Sequence, residues 1–76
     1  MIVKAIAEAV REAERRKNKI AMFHYQVLIH AEELRGVNAK EFCKEIKVPA
    51  SYVTEYTKML SLATLMKEQG ATINTD

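Results

Sequence analysis

Residues 39–59 read AKEFCKEIKVPASYVTEYTKM, with Asn38 before them and Leu60 after. Asn38 stands three residues ahead of Glu41, the spacing of a capping box with asparagine in the first role. Behind this cap, Ala39, Phe42, Cys43 and Ile46 make one apolar stripe, with Lys40, Glu41, Lys44, Glu45 and Lys47 outside it. The spacing predicts a short helix, the third in the chain, ending near Lys47. Pro49 then opens a fourth, because proline at a first helical position sacrifices no intrahelical bond. That helix is expected from about residue 50 to 68, where Gly70 marks its end, with Val53, Tyr56 and Leu60 facing inward.

Upstream, Ile2, Ile6, Ala9, Val10 and Ala13 recur at intervals of three and four, the apolar stripe of a first amphipathic helix. The run Arg15-Arg16-Lys17-Asn18-Lys19 closes it, and Asn18 is positioned to cap a second helix over about 19–35. Ile20, Phe23, Val27, Ala31 and Leu34 are its expected inner residues, and Gly36 its stop. The chain thus reads as an all-α, four-helix domain over residues 1–70, followed by a flexible tail over 71–76.

Composition agrees. Two glycines and one proline in 76 residues are too few for β-hairpin turns. An apolar share of 49% with a net charge of +2 is that of a globular chain. At this length roughly 60% of the unfolded surface can be hidden, which supports one small core but neither a second domain nor a deep enclosed pocket. A single cysteine forms no internal disulfide framework. No run of 18 apolar residues is present, so no membrane span is expected. The amino-terminal residues lack the pattern of a cleaved leader, which makes the cytoplasm the expected compartment.

The order within residues 39–60 carries more information than composition. A small residue, Cys43, falls where two consecutive helices approach most closely, and an apolar one, Ile46, follows three positions later. A turn comes next, then an apolar plug, Val48, and a further apolar residue, Val53, five positions beyond the plug. In this the stretch resembles the helix-turn-helix DNA-binding superfamily of bacterial and phage regulators. It departs from the pattern in three places. Lys47 stands where glycine is usual, and a side chain at positive φ is strained. Pro49 stands where a capping hydroxyl is usual, and Tyr56 is bulkier than the usual aliphatic residue.

The resemblance implies a sequence-specific regulator that binds double-stranded DNA, with the fourth helix entering the major groove. Ser51, Tyr52, Thr54 and Lys58 are then the residues directed at bases and phosphates, and Lys40, Lys44 and Lys47 a clamp on the backbone. Glu55 is either an acceptor for cytosine N4 or a solvated charge, and Ser51 alternatively caps its own helix. The basic run at Arg15–Lys19 reads as a second backbone contact, a partner patch or a solvated junction.

The fourth helix also carries more apolar residues than one stripe requires. Met59, Leu62, Leu65 and Met66 fall outside the inner set, and a second copy of the chain would cover them, giving a homodimer. The alternative function is a helical protein-interaction module that offers this Met/Leu-rich face to another protein. Neither an enzyme nor a metal or cofactor site is expected. His24 and His30 are six apart and so face different ways on a helix, and Cys43 lies on an inward stripe. The chain has no glycine-rich phosphate loop.

Overall fold

The computed structural model describes residues 2–73. Five helices follow one another: α1 (Ile2–Arg15), α2 (Lys19–Ile29), α3 (Ala31–Leu34), α4 (Ala39–Glu45) and α5 (Tyr52–Glu68). Helix α1 packs on α2 and α4, and α5 packs on α2 and α4. The core between them is built from Ile6, Val10, Phe23, Val27, Leu34, Phe42, Cys43, Ile46 and Tyr56. The four helical stripes predicted to be inward therefore meet, and residues 74–76 of the expected tail lie outside the described part.

The expected second helix is two helices. His30, with φ −110° and ψ 18°, interrupts the ladder between α2 and α3. The inward register survives the break, since Ala31 and Leu34 are both buried. No glycine or proline marks position 30, and α3 runs only four residues, to Leu34. There the Leu34 carbonyl accepts the Tyr56 hydroxyl at 3.0 Å and the Val37 N–H at 3.0 Å, so α3 must stop at Leu34 and swing its end toward α5. Gly36, at φ +87°, makes the turn that follows.

Two smaller expectations are corrected. Ile20 is 41% exposed, because α2 turns Phe23 and Val27 to the core and leaves its first turn beside solvent. Asn18 contributes no side-chain cap; only its backbone carbonyl serves, accepting from Met22 N–H at 3.1 Å. Asn38 does cap α4, its side-chain oxygen accepting the Glu41 N–H at 3.0 Å.

Helices α1, α4 and α5 end in the same way. In each, the residue after the cap takes a left-handed conformation: Lys17 at φ 61°, Lys47 at φ 61° and Gly70 at φ 75°. The next N–H then reaches back five residues, from Asn18 to Ala13, Val48 to Cys43 and Ala71 to Met66, at 3.1, 3.1 and 2.8 Å. This Schellman closure satisfies carbonyls that a helix end otherwise leaves open. Lysine at two of these positions costs on the order of 1 kcal/mol each relative to glycine.

Tyr56 is the side chain that fixes α5 to the rest. It is 2% exposed, its ring centroid lies 4.9 Å from that of Phe42, and its hydroxyl reaches both the Leu34 carbonyl and, at 3.3 Å, that of Val37. Burial holds the phenol above its usual pKa, so it remains a donor. Tyr56→Phe should lower the free energy of unfolding by about 1–2 kcal/mol, because buried carbonyls lose their donor. Urea denaturation checks this; an unchanged midpoint would mean that the hydroxyl is not what fastens α5.

Candidate nucleic-acid interface

Helix α4, the turn at Ile46–Ser51 and the first turns of α5 form the surface that residues 39–60 point to. The turn is tight. Lys47 reverses the chain in its left-handed conformation, Val48 tucks half-buried behind it, and Pro49 leads into two short-range bonds, Tyr52 N–H to Pro49 O at 2.9 Å and Val53 N–H to Ala50 O at 3.0 Å. Helix α5 thus begins at Tyr52, two residues later than expected, and residues 49–51 form a tighter lead-in.

The leading end of α5 has a covered side and an open side. On the covered side, Tyr52 meets the ring of Phe23 edge-on at 4.9 Å, with Lys19 Nζ 5.7 Å from its own ring centroid. A sequence expectation that Tyr52 points outward is therefore modified: its ring is half-buried and packs against α2. On the open side, Ala50, Ser51, Thr54, Thr57 and Lys58 are exposed. Lys40, Lys44, Ala50 and Thr54 share the walls of one open groove, floored by Cys43, Val48 and Val53.

The polar groups on that open side differ in how free they are. Thr57 is tied to its own helix, its hydroxyl donating to the Val53 carbonyl at 3.1 Å. Ser51 makes no side-chain cap, and Thr54 makes no side-chain hydrogen bond among the described residues. The capping role weighed for Ser51 is thus not taken. Lys40, Lys44 and Lys47 likewise have no carboxylate within ion-pair distance among the described residues. The basic run upstream is different: Arg15 and Arg16 both face Glu12 at 3.6 Å, and Lys19 faces Glu14 at 3.7 Å.

Lys58 lies on the edge of this surface, 3.7 Å from Glu55 Oε2. Glu55 itself, part-exposed, is engaged from a second helix. Its Oε1 lies 2.8 Å from His24 Nε2, on α2, a contact that requires the hydrogen on Nε2. This partner was invisible in the sequence, where the two residues are 31 apart and no local pattern joins them. Cys43 is buried, and that burial raises its thiol pKa, which keeps the thiol protonated and unreactive. Among the described residues no group of histidine, cysteine or carboxylate side chains is placed to hold a metal ion.

The residues expected to pair two chains lie further along α5. Leu62 and Leu65 are exposed, by 39% and 51%, whereas Met59 packs half-buried on the core. Met66 lines a second groove with Leu28, Ile29 and Ala63, rimmed by Lys67. There Glu32 accepts from Lys67 Nζ at 3.2 Å, and Lys67, then Arg35, holds the carboxyl below its ordinary range.

A short capped helix, a tight left-handed turn and a longer helix with an open leading face define a helix-turn-helix domain. The chain belongs to the HTH-like domain family, whose model matches residues 1–69. No curated protein and no solved structure matches it significantly. Among the described residues no helix is long and apolar enough to cross a membrane.

The His24 contact lowers the Glu55 pKa from the ordinary glutamate value of 4.5, with a smaller contribution from Lys58. A carboxylate whose folded-state pKa is depressed favours the folded state above the unfolded value, and loses that contribution as pH falls through the depressed one. An NMR titration should therefore place the Glu55 midpoint below 4.5, and His24→Leu should raise it. A midpoint indifferent to that substitution would separate the shift from the contact.

Proposed function

We propose that the protein is a sequence-specific, double-stranded-DNA-binding transcriptional regulator that works as a homodimer in the cytoplasm. The observation that carries this reading is the company kept by three lysines. Lys40, Lys44 and Lys47 are exposed and, among the described residues, without an acidic partner, and they stand beside the Ser51 and Thr54 hydroxyls at the open leading end of α5. Most other basic side chains near acids are already matched. Unpaired cations gain the most from phosphates, because each contact releases condensed counterions with no internal ion pair to break.

In this arrangement the lysines of α4 and the turn lie against the phosphate backbone and set the register. Ser51 and Thr54 then meet base edges in the major groove, with Lys58 at the groove wall and Tyr52 acting from its packed position on α2. Family membership supports the same reading, since the helix-turn-helix is a DNA-binding form.

Duplex titrations at two salt concentrations test this directly. Lys44→Ala should weaken binding nearly equally for all sequences and reduce the slope of log affinity against log salt by about one. In the same assay Thr54→Ala should change sequence preference more than general affinity, with a loss of about 1–3 kcal/mol at one base position. Parent-like affinity and slope for Lys44→Ala would remove the clamp, and with it the main support for DNA as partner.

The dimer rests on Leu62 and Leu65, two large apolar side chains left open on one helix. A second copy paired along this part of α5, with Met59 and Met66 at its margins, covers them and supplies two reading helices. Two half-sites about 34 Å apart on DNA require such a pair. Light scattering on the parent chain should give twice the mass of Leu62→Glu. Monomer mass for both would leave the exposed leucines to a different protein, the alternative of an interaction module.

A further inference from the structure

The grip of α2 on the first two turns of α5 is more than packing. Three α2 residues take part: Lys19 over the Tyr52 ring, Phe23 against its face, and His24 at 2.8 Å from Glu55. Two of these contacts are with a ring and set how α5 is rolled about its own axis. The third engages a charge, and that charge stands in a sensitive place.

Glu55 follows Thr54 directly, with Ser51 four residues before it and Lys58 three after. Residues at those spacings share one edge of a helix. The carboxylate thus shares an edge with Ser51 and Lys58, one step round the helix from Thr54. Left free there, it would act on a duplex in two ways. It would repel the phosphates that Lys40, Lys44 and Lys47 attract, and it would accept from the exocyclic amine of cytosine. As it stands both oxygens are engaged within the protein, Oε1 by His24 and Oε2 facing Lys58 Nζ at 3.7 Å, which occupies the acceptor while a neutral donor leaves its charge in place.

We propose that His24 is a positioning residue for DNA recognition: by engaging Glu55 from α2, it withholds the carboxylate from base readout and leaves the reading to Ser51 and Thr54. This rests on the DNA-binding reading given above. The neutral imidazole with its hydrogen on Nε2 is sufficient for the role, since one N–H donor is all that the contact needs. The charged groups facing the pair are Lys58 on α5 and, one turn away on α2, Lys19.

The test is a cycle of full-length variants, each run in gel-shift titrations on random duplex and in selection of preferred sites. His24→Leu frees the carboxylate without changing its charge, so affinity for random duplex should stay close to that of the parent. It should also bring a new cytosine preference at one position. His24→Gln keeps an N–H donor and should behave as the parent. Glu55→Gln removes one negative charge, so affinity for random duplex should rise by up to about fivefold while the preferred site stays as in the parent. Combining His24→Leu with Glu55→Gln should abolish the new cytosine preference, which a purely structural role for His24 would not do. The proposal is overturned if His24→Leu brings no cytosine preference, if it brings the same one when Glu55 is already Gln, or if Glu55→Gln alone changes the preferred base. A parent chain that binds no duplex at all overturns the DNA-binding reading, and this proposal with it; parent binding with an unresponsive cycle overturns this proposal alone.

Discussion

A buried phenol must place its hydroxyl on an acceptor, and in this small core that requirement organises everything around Tyr56. Its ring fills the space beside Phe42, and its hydroxyl finds acceptors at the end of α3 and in the loop before α4. Those carbonyls are available because α3 stops at Leu34. One side chain therefore joins α3, α4 and α5, and sets where the longer helix of the pair lies. With few large residues in the core, no other contact provides the same polar constraint. The neighbouring contacts, Phe23 with Phe42 and Phe23 with Tyr52, extend the aromatic cluster from this point toward the leading end of α5.

The turn between α4 and α5 is held by a different device. Lys47 occupies a left-handed position that glycine fills at lower cost, and the Val48 N–H closes the helix behind it onto the Cys43 carbonyl. The same closure with the same residue type ends α1 at Lys17. A lysine in this conformation exposes its charge, which in α4's turn lies beside two further unpaired lysines. Local strain and a basic surface thus coincide at the one place where the two helices must meet closely, a pattern expected where backbone strain serves a site.

Helix α5 divides into two halves with different duties. Its first turns are gripped by α2 on one side and open on the other, where the exposed groups are hydroxyls and a lysine. Its later turns expose Leu62 and Leu65. A single helix that carries polar groups at one end and apolar side chains at the other couples the spacing of those groups to whatever covers the apolar part. On the proposed function, that coupling is how a second copy fixes the distance between two half-sites.

Much of this was open to reading from residue order. Helical periodicity at Ile6, Val10 and Ala13, at Phe42, Cys43 and Ile46, and the Asn38 cap are local properties, set by side chains three or four residues apart, and each appears in the structure as expected. The spacing from Cys43 to Val53 likewise identified the paired helices. The break at His30, the outward Ile20 and the ring of Tyr52 lying on Phe23 were not legible, because none depends on neighbours in the chain. His24 and Glu55 show the limit most plainly: 31 residues separate them, and only the docking of α2 on α5 brings an imidazole to a carboxylate. Residue order thus established which segments are helices and which faces are apolar, since those follow from short-range periodicity. Packing settled which charged and polar groups remain free for a partner, since a side chain is free or engaged according to what a distant segment places beside it.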